Sequence, residues 1–219
     1  MLLENQLAPK SQKVFFFQIG TWALAAIVSI IAIVAWGGHR GYTLSGVNGF
    51  QLFPLLGLLA FSIMWSHYIN STIGELIGVN RKVLKRYYQY TGYAVLVLIC
   101  LHPGILIYSL FRNGVGLPPG SYEHYVGPGL GWVALLGTVS FFVFIAFEFR
   151  RVFADRSWWH FVTEAGDLAM LAILYHGFRL GGNLQQGWFR FVWLFYFVTL
   201  VAVLLRSYYK KYVVAPSKT

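Results

Sequence analysis

Six apolar stretches, each about as long as a bilayer is thick, divide nearly the whole chain and leave little else to fold. They run over 14–36, 47–69, 87–111, 129–149, 159–180 and 187–207. A helix needs about 20 apolar residues to cross the hydrocarbon core, and in lipid only helices and closed barrels satisfy their own backbone. The spacing therefore predicts an all-α, integral membrane six-helix bundle in a single transmembrane domain, 1–219. Composition agrees, because 58% of the 219 residues are hydrophobic and only 11% charged. A soluble domain carries roughly a quarter charged residues. The first stretch is longer than a secretory signal core and lacks a small-x-small cleavage pattern, so it reads as a retained helix.

The formal charge of +10 is distributed by side. Lys10 and Lys13 precede the first stretch; Arg81, Lys82, Lys85 and Arg86 separate the second from the third. Arg150, Arg151 and Arg156 separate the fourth from the fifth. Arg206, Lys210, Lys211 and Lys218 close the chain, and only Arg40, Arg112, Arg179 and Arg190 lie opposite. The positive-inside rule then places the N-terminus and the C-terminus in the cytoplasm; the membrane expected is a plasma membrane, of prokaryotic type. The same rule also accounts for the basic balance without nucleic acid as a partner. Cys100 is the one cysteine, so no intrachain disulfide or CxxC motif exists, and it reads as a small core residue. The segment 112–128, rich in Gly and Pro, reads as an exterior loop.

Against this apolar background the histidines stand out, because ionisable groups inside a membrane are costly and usually functional. His102 lies fifteen residues into the third helix and His176 seventeen into the fifth, both helices running outward. At 1.5 Å per residue both sit roughly 22–26 Å from the cytoplasmic face. Two neutral imidazoles at one depth suit the two axial positions of a heme iron, and bundles build cofactor sites from facing helices. Ala165, Ala169 and Ala172 form a small-residue stripe below His176 that would leave a slot for a flat ring; the same stripe would equally serve close helix packing. Pro103, directly after His102, removes a backbone donor.

His67 and His160 share a depth at the cytoplasmic border and form a candidate second, inner heme pair, although His160 and His176 point to opposite faces of an ideal helix. Glu164 and Asp167 continue the His160 face and mark a candidate proton path. His39 and His124 fall in exterior loops and read as solvated. Trp132, Trp158, Trp159, Trp188, Trp193, Tyr87, Tyr88 and Tyr90 read as an interfacial aromatic belt. A rival function follows from the same residues: a proton-coupled transporter or channel in which His160, Glu164 and Asp167 form a polar seam completed by His102 and His176. The lack of evident inverted repeats argues against it.

The stretches "RKVLKRYYQYTGYAVLVLICLH" and "WWHFVTEAGDLAMLAILYH" resemble the third-helix and fifth-helix segments of the ferric reductase-like transmembrane domain. That superfamily includes NADPH oxidases, iron reductases and the heme subunit of the bacterial methionine sulfoxide reductase system. The resemblance covers roughly 47–207. It implies a heme-containing oxidoreductase component, a membrane cytochrome b in which His102 and His176 are the axial ligands of an outer b-type heme. Electrons would pass from a flavoprotein or quinol donor to an acceptor outside. Tyr88 and Thr163 stand where the family often places its other histidines. An inner heme is then either absent or held differently, by His67 and His160. The flavin and nicotinamide domains of the oxidases are also absent, so the donor would be a separate partner.

Overall fold

The computed structural model describes residues 8–149, 153, 155–185 and 187–214, with side chains from residue 12 onward, and every regular element among them is helical. Helix α1 spans Ala8–His39, α2 Gly49–Leu76, α3 Lys85–Arg112, α4 Gly120–Val126, α5 Gly131–Glu148, α6 Trp159–Leu180, α7 Gly182–Gln185 and α8 Phe189–Tyr209. A 3-10 turn, Arg81–Leu84, leads into α3, and a π turn, Lys210–Val214, continues α8. All six predicted stretches are therefore helices. Among the described residues five helices are long and apolar enough to cross a membrane, which is compatible with a multi-pass membrane protein. The remaining long helix, α6, spans 22 residues, and its His160, Glu164, Asp167 and His176 leave it less apolar than the others.

Local chemistry sets the boundaries. The Asn48 side chain accepts a hydrogen bond from the Gln51 N–H at 3.0 Å and so caps the first turn of α2. Pro54 lies close enough to that end that its missing donor costs one early bond, and the helix continues. Helix α3 likewise runs through Pro103. The segment read as an exterior loop holds a short helix, α4. Its Tyr122 hydroxyl lies 2.7 Å from the Thr138 hydroxyl on α5, and its Tyr125 ring meets Phe50 and Phe53 edge-on from α2.

The closest pairings are α2 with α3, α5 with α6 and α1 with α2. Helix α8 completes the core by laying Trp193, Tyr196 and Leu200 against α2. The Phe61 and Trp193 ring centroids are 4.4 Å apart, as are those of Trp65 and Tyr196. Both indoles are anchored as buried Trp requires. Trp65 donates to the Thr199 hydroxyl at 2.9 Å and Trp193 to the Leu174 carbonyl at 3.2 Å. Trp193 therefore leaves the predicted interfacial belt, because the start of α8 at Phe189 carries it one turn into the core. Tyr87 is buried as well. Trp132, Trp158 and Trp188 are exposed. Cys100 is exposed too, not a core residue. Large apolar side chains such as Ile30, Phe142, Leu168, Phe191 and Leu205 face outward all around the bundle, the pattern expected where lipid is the solvent.

Candidate cofactor site

His102 and His176 line one cavity of about 570 Å³, to whose wall each of α1 to α8 contributes. That volume falls within the usual range for small-molecule and cofactor sites. Its wall is largely apolar, with Phe50, Phe53, Phe61, Phe141, Phe144 and Trp193 among the lining residues.

The two histidines are held in the same way, by two separate helix pairs. On α3, His102 directs Nδ1 to the carbonyl oxygen of Phe53 on α2, at 2.6 Å. On α6, His176 directs Nδ1 to the carbonyl oxygen of Val133 on α5, at 2.8 Å. In each helix the fourth residue beyond that carbonyl is a glycine, Gly57 in α2 and Gly137 in α5. The imidazole lies on that glycine. A Cβ built on Gly57 would stand 2.8 Å from Cε1 and 2.9 Å from Nδ1 of His102, and one on Gly137 the same distances from those atoms of His176. Any larger residue would push the ring off the carbonyl. Here each ring reaches its carbonyl by lying over the glycine one helical turn ahead, the place a Cβ would otherwise take.

The bond also fixes the chemistry. A carbonyl only accepts, so each Nδ1 carries the proton and donates it. In the neutral ring Nε2 then keeps a bare lone pair. Metal-ligating histidines are typically oriented by this kind of Nδ1–H to carbonyl hydrogen bond, which sets the tautomer and raises the basicity of Nε2. Two such rings line one cavity.

The remaining sequence candidates are placed apart from this pair. His67 Nε2 lies 2.7 Å from the Thr91 hydroxyl. Thr91 spends its own proton on the Tyr87 carbonyl at 2.6 Å, so the imidazole N–H is the donor. The His67 ring packs edge-on against Tyr87 and Tyr88 of α3. His160 is exposed, with Nδ1 donating to the Ser157 carbonyl at 2.6 Å and its ring against Phe161. Glu164 accepts from Lys211 Nζ at 2.6 Å and from the Tyr212 hydroxyl. Asp167 is not isolated: Tyr68 of α2 donates to Oδ1 at 2.8 Å and Tyr208 of α8 to Oδ2 at 3.0 Å.

The alanine stripe does not form the slot. Ala165, Ala169 and Ala172 are absent from the cavity wall, and Ala169 is buried in helix packing. The small residues that make room are Gly57 and Gly137. His39, the last residue of α1, is exposed as expected and also borders the cavity beside Arg40. Among the described residues no group of three or more His, Cys, Asp or Glu side chains comes together to hold a metal ion.

Comparison of the chain with protein-family models, curated proteins and solved structures finds no match.

Proposed function

We propose that the chain is a membrane cytochrome b of ferric reductase-like type, carrying electrons across a bilayer from a flavoprotein or quinol donor to an acceptor on the far side. The observation that carries this reading is the twinned clasp. Two histidines from different helix pairs are each protonated at Nδ1 by the demand of a backbone carbonyl, and each is left with a bare Nε2 beside one apolar cavity.

The residues fit a b-type heme. His102 and His176 would hold it, and the aromatic wall would exclude water and lower the dielectric around it. A bound heme supplies one-electron exchange between its ferric and ferrous states. The protein contributes rigidity: Phe53 and Val133 hold the rings through their carbonyls, and Gly57 and Gly137 let the rings lie flat on the helices.

One heme per chain is the stoichiometry this arrangement supports. In the other half of α2 and α3 the space is filled by side chains. Tyr87 donates to Ser66 at 2.6 Å, because Ser66 commits its proton to the Ile63 carbonyl, and Asn70 donates to Tyr87 at 3.2 Å. The charge distribution supports both termini lying in the cytoplasm, which puts the clasp in the outer half of the membrane; a six-span topology in a plasma membrane of prokaryotic type belongs to the same reading.

Purified protein expressed with ample heme tests the reading. It should be red, with the Soret and reduced α-bands of a bis-histidine b-type heme and one heme per chain by pyridine hemochrome. His102→Ala and His176→Ala should each abolish the low-spin spectrum, whereas His67→Ala and His160→Ala should leave heme content unchanged. A colourless wild-type preparation would refute the proposal.

A further inference from the structure

The cavity wall contains one permanent charge and nothing among the described residues to balance it. Arg40 lines the cavity, and among the described residues no Asp or Glu side chain does. No carboxylate of the described residues lies within ion-pair distance of its guanidinium. An arginine just past a helix C-terminus is commonly explained by the helix dipole, with the head group in water. Arg40 fits that account only in part, because the residue is half-buried. Its Nε is buried without a partner, and Nη2 reaches only the Thr43 and Ser45 carbonyls, each at 3.4 Å and so beyond the normal N–H···O range.

The guanidinium is nonetheless held in place. Its central carbon lies 5.5 Å from the centroid of the Trp36 ring, and Trp36 is itself pinned by donating to the Gln51 carbonyl at 2.9 Å. Gln51 adds a second buried polar atom without a partner, its side-chain Oε1, and a flip of the amide turns an N–H donor to that place. His39 adjoins on the same wall. A positioned guanidinium with free donors, in a largely apolar cavity without a counter-ion, matches an anion, and its planar fork matches a carboxylate.

We propose that Arg40, with His39 and Gln51 beside it, is a carboxylate-binding site, and that the carboxylates are those of the macrocycle clasped by His102 and His176. This rests on the heme reading above. Protoheme carries two propionates on one edge, so a single cationic end to the cavity fixes which way round the ring lies. A separate anionic acceptor would present the same chemistry to Arg40, and the experiment distinguishes the two.

Apoprotein of the full chain in detergent or nanodiscs is reconstituted with protoheme or with its dimethyl ester, which lacks the carboxylates. Wild type should favour the free acid by roughly tenfold or more, as expected for a charge-assisted hydrogen bond. Arg40→Gln should erase that preference and speed loss of protoheme to apomyoglobin by a similar factor. Arg40→Lys should recover part of it, and it carries the test if the Gln variant fails to fold. Equal uptake of the two hemes by wild type would overturn the proposal while leaving the heme reading standing. So would unchanged preference in both variants. Absence of ester discrimination, with Arg40-dependent reoxidation of the reduced protein by ferric citrate, would assign the carboxylate to the acceptor and also overturn it. Uptake of neither heme by wild type would instead sink the heme reading itself.

Discussion

Replacing Gly57 by alanine pits two effects of opposite sign against each other. In the interior of a helix, Gly→Ala is worth about 1 kcal/mol in favour of the helix. The new methyl, however, would lie 2.8 Å from Cε1 and 2.9 Å from Nδ1 of His102, where carbon atoms prefer about 3.5–4.0 Å. The ring must therefore retreat by about 0.7 Å or more. That stretches the 2.6 Å Nδ1–H···O=C bond to Phe53 to roughly 3.3 Å, past the useful range for N–H···O. The lost bond costs about 1 kcal/mol of stability, which roughly cancels the helix gain. Loss of the group that orients a ligating histidine typically costs 10–100-fold in metal affinity, and nothing offsets that. The variant should consequently fold as stably as wild type while holding heme roughly 10–100-fold more weakly. Gly137→Ala should do the same through His176 and Val133, and since both rings face one cavity and would hold one group, the double variant should depart from simple multiplication of the two effects. The assays are heme transfer to apomyoglobin, the low-spin electron paramagnetic resonance of the ferric protein, and thermal unfolding of the apoprotein. Gly92→Ala and Gly166→Ala are the controls, since a Cβ at either meets nothing within 4 Å. If Gly57→Ala kept wild-type heme affinity and unchanged resonance positions, the reasoning from glycine to carbonyl to tautomer would be refuted.

Asp167→Leu removes the acceptor shared by Tyr68 and Tyr208 and should destabilise the fold by about 1–3 kcal/mol in a detergent unfolding assay. Asp167→Asn keeps an acceptor oxygen and should lose less; equal losses in the two variants would argue against the hydrogen bonds as the cause. Glu75, which pairs with Lys210 and lies 3.7 Å from Arg206, is exposed at a helix end, so Glu75→Gln should cost less than about 1 kcal/mol, and less still at high salt.

That His102 and His176 come to one cavity is foreshadowed in the sequence, because a helix rises by a fixed amount per residue and the two stand at similar distances along their helices. The residues that orient them are not legible. Gly57 and Gly137 sit on other helices, 45 and 39 positions from their histidines, and glycine in an apolar helix carries no local sign of what lies against it. The alanines misled for a related reason. A small residue every third or fourth position reads the same whether it borders a void or lets two helices touch, and Ala169 does the second. Asp167 looks isolated in sequence since its partners are 99 and 41 residues away. Helix α4 was hidden by its flanks, where Gly and Pro on both sides of 120–126 signal turns more strongly than seven residues signal a helix. Trp193 depended on where α8 begins, and a shift of one turn separates the rim from the core.

The cavity between the two clasped helix pairs also bears on how the cell handles the newly made chain. A hollow of about 570 Å³ bordered by α2 and α3 on one side and α5 and α6 on the other leaves those walls without packing partners when nothing fills it. Whatever enters touches both sides and ties them together, so filling the hollow and consolidating the bundle become one event by mass action. A copy with the hollow filled should therefore resist unfolding and proteolysis better than one without.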